Sequence, residues 1–282
     1  MCEECGCGLE NAASREATLP SDHAHPRSHS HPHPPAGPSG SAESGHGGPG
    51  EDSPEGARIL SVQRHLLERN ERMAERNRGF FAAKQLLVVN VLSAPGSGKT
   101  LLLEETAHRL SGRLRTGVVV GDLATDRDAA RLRAAGVPVV QITTGTLCHL
   151  EADMVARAVA ALDLDALDLL LIENVGNLVC PASYDLGEDL RAVLLSVTEG
   201  EDKPLKYPPL FHSADVALVT KCDLANATGF DRETALANLR QISHHARIFE
   251  VSARTGEGLA DWCDHLEARR RHKASPLRPQ AG

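Results

Sequence analysis

Long apolar runs are missing from this chain. No stretch of its 282 residues approaches the ~20 apolar positions of a bilayer-spanning helix. No charged segment followed by a hydrophobic one opens it, so the sequence predicts no membrane association and a cytoplasmic location. A disulfide framework is not expected either, because seven cysteines, an odd number, without an export signal read as thiols or metal ligands. Aliphatic residues are nearly absent from residues 1–57, which are rich in Gly, Pro, Ser and His. Such a segment cannot bury enough apolar surface to offset its ordering entropy and is predicted to be disordered. A basic surplus is lacking as well. Residues 1–57 hold nine acids against two arginines, −7 of the formal −8, so the other 225 residues are close to neutral. That balance argues against a nucleic-acid-binding surface.

What remains is long enough for one α/β domain with a proper core. It is organised around Leu86-Leu-Val-Val-Asn-Val-Leu-Ser-Ala-Pro-Gly-Ser-Gly-Lys-Thr100, which reads as a buried strand feeding a phosphate loop. Backbone N–H groups from Gly96 through Ser97 and Gly98 to Thr100 can turn inward around a phosphate, and the following helix adds its positive end. Lys99 would reach the β/γ-phosphates, and the Thr100 hydroxyl would coordinate Mg²⁺. The full P-loop pattern asks for glycine where Ser93 stands, a departure that costs something if a positive φ is needed. The expected fold is an α/β P-loop NTPase: a mostly parallel sheet flanked by helices, carrying a disordered Cys- and His-containing amino-terminal segment. The expected divisions are that segment at 1–57, an amphipathic basic helix at 58–79 stopped by Gly79, the nucleotide domain at 80–270 and a loose tail at 271–282.

The strand Gly117–Asp122 ends in a carboxylate, where ligands collect in open parallel sheets, so Asp122 falls beside Mg²⁺ and the attacking water. Leu167–Glu173 is a second apolar strand ending in an acid. Glu173-Asn-Val-Gly176 resembles the Asp-x-x-Gly element of GTPases, with Glu173 holding the Mg²⁺ shell or orienting water and the Gly176 amide sensing the γ-phosphate. Thr220-Lys221-Cys222-Asp223 resembles the Asn-Lys-x-Asp element that reads guanine, with Thr in place of Asn. Its aspartate would accept from the guanine N1–H and 2-amino groups, and the lysine stem would cover the ring. Ser252-Ala253 resembles the Ser-Ala-x element whose amide touches guanine O6. Residues 198–209, with prolines at 204, 208 and 209, read as a broken loop.

Two sets of soft ligands stand out. Cys2, Cys5 and Cys7 lie within six residues, with glycines that let the backbone fold around one ion such as Ni²⁺, Zn²⁺ or Cu⁺. The proline-extended run holding His23, His25, His29, His31 and His33 offers exposed imidazoles for loosely held divalent ions. Cys148 and His149 are weak ligand candidates alone, but Cys180 follows Gly176 by four residues. A loop ordered by the γ-phosphate would carry Cys180 with it, and a two-fold dimer would complete the three-ligand site. Cys222 and Cys263 read as packing thiols, and His65, His108, His212, His244 and His245 as surface or core residues.

Taken together, Cys2-x-x-Cys5-Gly-Cys7, the histidine-rich insert, the loop Ser93–Thr100, Gly121–Asp128, Cys148-His149, Glu173–Cys180 and Thr198–Tyr207 resemble the HypB family of hydrogenase nickel-incorporation GTPases, SIMIBI-class P-loop proteins. The resemblance implies a slow GTPase that dimerises with GTP, uses Mg²⁺, Ni²⁺ and Zn²⁺, and passes nickel with a HypA-type partner to the large-subunit precursor of a [NiFe] hydrogenase. It also implies a tight nickel site at Cys2, Cys5 and Cys7 and a nucleotide-coupled Zn²⁺/Ni²⁺ site at Cys148, His149 and Cys180. Alternatives are nickel storage with a regulatory GTPase, or a GTPase chaperone for another metalloenzyme such as urease.

Overall fold

A computed structural model of the chain describes residues 54–123 and 127–274. Cys2, Cys5, Cys7, His23, His25, His29, His31 and His33, expected to bind metal, lie outside the described residues. Seven strands form one sheet: β1 (Leu87–Leu92), β2 (Thr116–Asp122), β3 (Val139–Thr143), β4 (Leu169–Glu173), β5 (Leu190–Ser196), β6 (Val216–Thr220) and β7 (Arg247–Val251). Their order is β3-β2-β4-β1-β5-β6-β7, and every pairing is parallel. The expected mostly parallel α/β sheet is thus parallel throughout its described length. Parallel strands need crossovers, and these carry helices α2 (Lys99–Leu110), α3 (Arg127–Ala134), α4 (Ala152–Val159), α5 (Lys203–Lys206), α6 (Pro208–His212), α7 (Ala225–Thr228) and α8 (Arg232–Ile242), while α1 (Pro54–Ala83) precedes β1 and α9 (Leu259–Ala274) follows β7.

Period-two alternation in β1 explains why the central strands are apolar on both faces. Leu87, Val89 and Val91 pack with Leu102, Leu103 and Leu110 of α2 and with Trp262 and Leu266 of α9. On the opposite face Val88 packs with Phe81, Val155 and Val159. Leu92 joins Val193, Phe211 and Leu239 there. The single tryptophan is nearly fully buried, and its Nε1 donates to Thr106 Oγ1 at 3.1 Å. The buried indole N–H therefore keeps a partner.

Helix α1 begins at Pro54, inside the segment expected to be disordered, and α9 runs to Ala274, into the expected loose tail. Two other differences concern where helices stop and start. Helix α1 passes through Gly79 to Ala83, because Phe81 beyond the glycine is fully buried against the sheet. The helix ends instead at Gln85, which takes φ 53° while the Leu86 amide donates to the Phe81 carbonyl at 3.0 Å. Buried Asn70 and Asn77 fix the helix to the domain. Asn70 donates to the Asp185 carbonyl and Asn77 to those of Ala152 and Leu186, at 2.7 to 3.0 Å. The second difference lies in residues 198–209, where prolines start α5 and α6 rather than break them. At a first helical turn the missing N–H has no intrahelical role, and the fixed φ suits the helix.

At the amino-terminal edge of the sheet, Asp168 accepts from Arg115 Nε at 2.8 Å and from Arg270 at 3.2 Å. The Arg115 hydrogen bonds lead in lowering its pKa from 3.8 to about 2. A carboxyl depressed by folding stabilises the native state above its unfolded pKa, and that contribution disappears as pH falls through its folded value. The melting-temperature gap between the native protein and Asp168→Asn is therefore expected to be constant above pH 4 and to close between about pH 4 and 2. A gap independent of pH in that window would refute the assignment.

Candidate nucleotide and metal site

The residues singled out for nucleotide lie where strands end. β1 runs into the turn 93–98, whose Gly96 and Gly98 take φ 74° and 96°. Those angles require glycine. Ser93 does not: among the described residues only Gln85 and Lys221 are non-glycine residues with positive φ. The serine in place of glycine is therefore unstrained, and it has a use. It is fully buried, receives Lys99 Nζ at 3.0 Å and is bonded by the Ser97 hydroxyl. Its hydroxyl thus holds the lysine ammonium inside the turn. Burial lowers the Lys99 pKa, opposed by the carboxylates of Glu173, Glu199, Asp128 and Asp122.

Beside this turn, Gly96, Gly98, Lys99, Thr100, Asp122, Asp128, Glu173 and Gly176 share a cavity of about 460 Å³. Thr100 Oγ1 donates to Glu173 Oε1 at 2.9 Å. Burial pushes the Glu173 pKa up to about 7, with Lys99 and Thr100 pulling it down and Asp128 and Asp122 adding to the rise. Glu173 Oε2 is buried with no hydrogen-bond partner among the described residues. A buried carboxylate oxygen without a donor, next to a hydroxyl and two further acids, is a donor set of hard oxygens that fits Mg²⁺.

A second recess of about 180 Å³ adjoins the turn. Ser97, Gly98, Thr220, Lys221, Asp223, Ser252 and Ala253 are among its walls. Thr220 Oγ1 donates to the Ser97 carbonyl at 2.9 Å, and Lys221, at φ 60°, donates to the Gly96 carbonyl at 2.7 Å. The Thr-for-Asn departure therefore preserves a tie between the base-reading element and the phosphate loop. Asp223 Oδ1 accepts from Ser252 Oγ at 2.6 Å, so the two elements expected to read a base sit together.

Cys148, His149 and Cys180 also meet, each offering a ligand atom within 4.8 Å of the others. His149 is buried and stacks on Tyr184 at 3.8 Å between ring centres. Burial lowers its pKa, which favours the neutral, metal-binding imidazole. Its Nε2 has no hydrogen-bond partner among the described residues, with Glu151 beyond hydrogen-bond reach at 3.9 Å. Hydrogen bonding with the Cys148 thiol, then burial, raises the Cys180 pKa. A cation between the thiols would reverse that effect. Cys222 and Cys263 are thiols raised to about 11 by burial, in keeping with packing roles.

The segment between Glu173 and Cys180 joins these sites. A Cβ on Gly176 would stand 2.9 Å from Pro95 Cα, so only glycine lets this segment lie against the phosphate loop. Asn177 Nδ2 donates to the Cys148 carbonyl at 3.3 Å. Fully buried Asn174 accepts from the Leu150 amide at 3.1 Å and the Val175 amide at 2.9 Å. Asn174 and Asn177 thus tie the segment carrying Cys148 and His149 to the strand end that carries Glu173. The sequence reading gave neither a role, since an asparagine in a loop carries no signal of which distant backbone it holds.

A parallel sheet with a glycine turn at the end of its central strand, acids at the neighbouring strand ends and a base recess beside them defines a P-loop nucleotide-binding protein. The family description "CobW/HypB/UreG, nucleotide-binding domain" matches residues 87–250. The hydrogenase maturation factor HypB of Escherichia coli K12 is 44% identical over 288 residues, covering 96% of this chain and 99% of the relative. That of Azotobacter vinelandii is 49% identical over 229 residues, covering 80% and 76%. The crystal structure of HypB from Helicobacter pylori in complex with nickel superposes with a TM-score of 0.70 at 40% identity, covering 74% of this chain and 99% of that one. The chain belongs to the HypB family of hydrogenase maturation factors.

Proposed function

We propose that this protein is a GTP-hydrolysing nickel chaperone that delivers nickel to the large-subunit precursor of a [NiFe] hydrogenase during its maturation, acting in the cytoplasm with a HypA-type partner. The observation that carries the reading is the segment Glu173–Cys180, which lies against Pro95 at Gly176 and ends in a metal-ligand residue. Bound GTP would draw the Gly176 amide toward its γ-phosphate, and a shift there would move Cys180 relative to Cys148 and His149. Metal grip would then follow nucleotide state.

In hydrolysis Lys99 balances charge on the β/γ-phosphates, and the backbone amides from Gly96 to Thr100 cradle them. Glu173 and Asp122 orient the attacking water. The Thr100 hydroxyl, with Glu173 and Asp122 near it, would hold Mg²⁺, which would supply charge neutralisation on the phosphates. Asp223, Lys221, Ser252 and Ala253 select guanine. Cys2, Cys5 and Cys7 form a separate nickel site, with His23, His25, His29, His31 and His33 as weaker ligands. Ni²⁺ is cargo at both cysteine sites. Cys148, His149 and Cys180 would also accept Zn²⁺, and a GTP-dependent homodimer would let a partner thiolate join them.

The test is nickel titration with GDP and with a non-hydrolysable GTP analogue, following oligomeric state alongside. Nickel affinity and dimer fraction should both change with the γ-phosphate. In Cys180→Ala, GTP affinity is expected to stay within about threefold while the GDP-to-GTP difference at this site disappears; typical coupling of about 5–150-fold makes that loss measurable. A difference that survives the substitution refutes the coupling.

A further inference from the structure

Three histidines outside both sites come together at the opposite edge of the sheet. His212 ends α6, and His244 and His245 lie in the turn between α8 and β7. Their ring centres are 6.4 Å apart for His212 and His244, 5.6 Å for His212 and His245, and 5.2 Å for His244 and His245. All three are exposed. They precede β6 and β7, whereas the base-reading residues follow those strands. A five-residue strand at ~3.3 Å per residue puts roughly 16 Å between this cluster and the nucleotide edge.

Two of the three separations, 5.6 and 5.2 Å, are close to those of imidazoles around one ion, and the third, 6.4 Å between His212 and His244, is about 1 Å too long. A zinc–nitrogen bond of about 2.1 Å plus the ~1.1 Å from nitrogen to ring centre places each ring centre about 3.2 Å from a metal, and tetrahedral to trigonal angles then give roughly 5.2–5.5 Å between centres. Two observations add to this. His212 Nδ1 lies 3.2 Å from the Ile242 carbonyl, an acceptor that keeps the proton on Nδ1 and leaves Nε2 as the lone-pair donor. The backbone on both sides is fixed, since buried Ser243 donates to the Phe211 carbonyl at 2.6 Å. The nearby cation is turned elsewhere. Arg247 stands 4.9 Å over the Phe249 ring and 3.3 Å from His265 Nδ1.

We propose that His212, His244 and His245 form an additional, exchangeable site for a borderline divalent transition ion such as Zn²⁺, Ni²⁺ or Cu²⁺, with water completing its coordination. As they stand, the three rings do not all present nitrogens to one point. Closing the site requires rotation about the side-chain bonds of His244 and His245, which are exposed. Three neutral ligands and open positions make the site weaker and faster to exchange than the thiolate cluster. It suits an ion arriving or leaving rather than one retained. The site stands independently of the proposed GTPase cycle, because it shares no residue with it.

The full chain is treated with diethyl pyrocarbonate at a series of free Zn²⁺ concentrations set by a metal buffer, and modification of each histidine is read by peptide mass spectrometry. The buffer fixes free metal whatever the cysteines and other histidines take up. His212, His244 and His245 should become protected together at one midpoint. His65 and His108, exposed and without a ring contact to another histidine among the described residues, should stay reactive. In His212→Ala the midpoint for His244 and His245 should rise by at least the ~10–100-fold that loss of even an outer-shell partner costs. His245→Ala, which leaves the Ile242 contact intact, should do the same to His212 and His244. Three separate midpoints, no protection, or unchanged midpoints in both variants would overturn the site.

Discussion

Lys99→Ala is expected to lower GTP turnover by at least ~10²–10³-fold, the cost of removing one preorganised group from developing charge in a transition state. The structure gives a reason for that magnitude. Lys99 is buried, with Glu173, Glu199, Asp128 and Asp122 all acting on it, and it shares the phosphate cavity with Glu173, Asp128 and Asp122. Without it, a triphosphate would enter a cavity whose remaining charges are mostly negative. The Glu173 pKa, already about 7, would rise further, since the Lys99 charge is the largest influence holding it down. Turnover and GTP affinity are measured separately, with circular dichroism melting to verify folding. Turnover within tenfold of the native protein would remove Lys99 from the mechanism. Ser93→Ala is the informative companion, because it deletes the hydroxyl that holds the ammonium at 3.0 Å while leaving the charge. It should have the smaller effect of the two.

Asp223→Asn is expected to reduce the preference for GTP over ATP by at least ~10²-fold, since each hydrogen bond to a charged group contributes about 1.5–3 kcal/mol and the aspartate is proposed to accept two. The direction of the change follows from Ser252. Asp223 Oδ1 already accepts from the Ser252 hydroxyl at 2.6 Å. An asparagine that keeps this bond through its carbonyl must aim its amide N–H₂ at the base. Guanine presents donors there, so donor meets donor. Xanthine presents an oxygen at the same position, so xanthosine triphosphate should bind Asp223→Asn more tightly than it binds the native protein. Competition between labelled GTP and unlabelled ATP or xanthosine triphosphate reads both effects. Selectivity unchanged in the variant would move the base-reading function away from Asp223.

The departures from common GTPase patterns are resolved by packing. Ser93 and Thr220 looked like weakened positions in the sequence, since each replaces the residue most P-loop GTPases carry. In the fold, Ser93 anchors Lys99, and Thr220 fastens the base-reading turn to the Ser97 carbonyl. Neither bond was legible beforehand. One depends on a hydroxyl turned into its own loop, and the other crosses 123 positions of chain. Proline in residues 198–209 was misread for a related reason. It breaks a helix interior but suits a helix start, and which applies depends on where the chain docks.

The sequence by itself determined the fold class and the phosphate loop, and it singled out the residues proposed to read the base and the thiols proposed to bind metal. These motifs have residue types dictated by local chemistry: glycine for a left-handed turn, an acid at a strand end, lysine after glycine. Only the tertiary structure decided that Cys180 lies beside Cys148 and His149, that Asn174 and Asn177 hold the Cys148–Leu150 segment to the end of β4, and that His212 meets His244 and His245. Those are meetings between segments 24 or more residues apart, set by the register of parallel strands and the docking of helices on them, and nothing in the local spelling of either segment encodes the other's position.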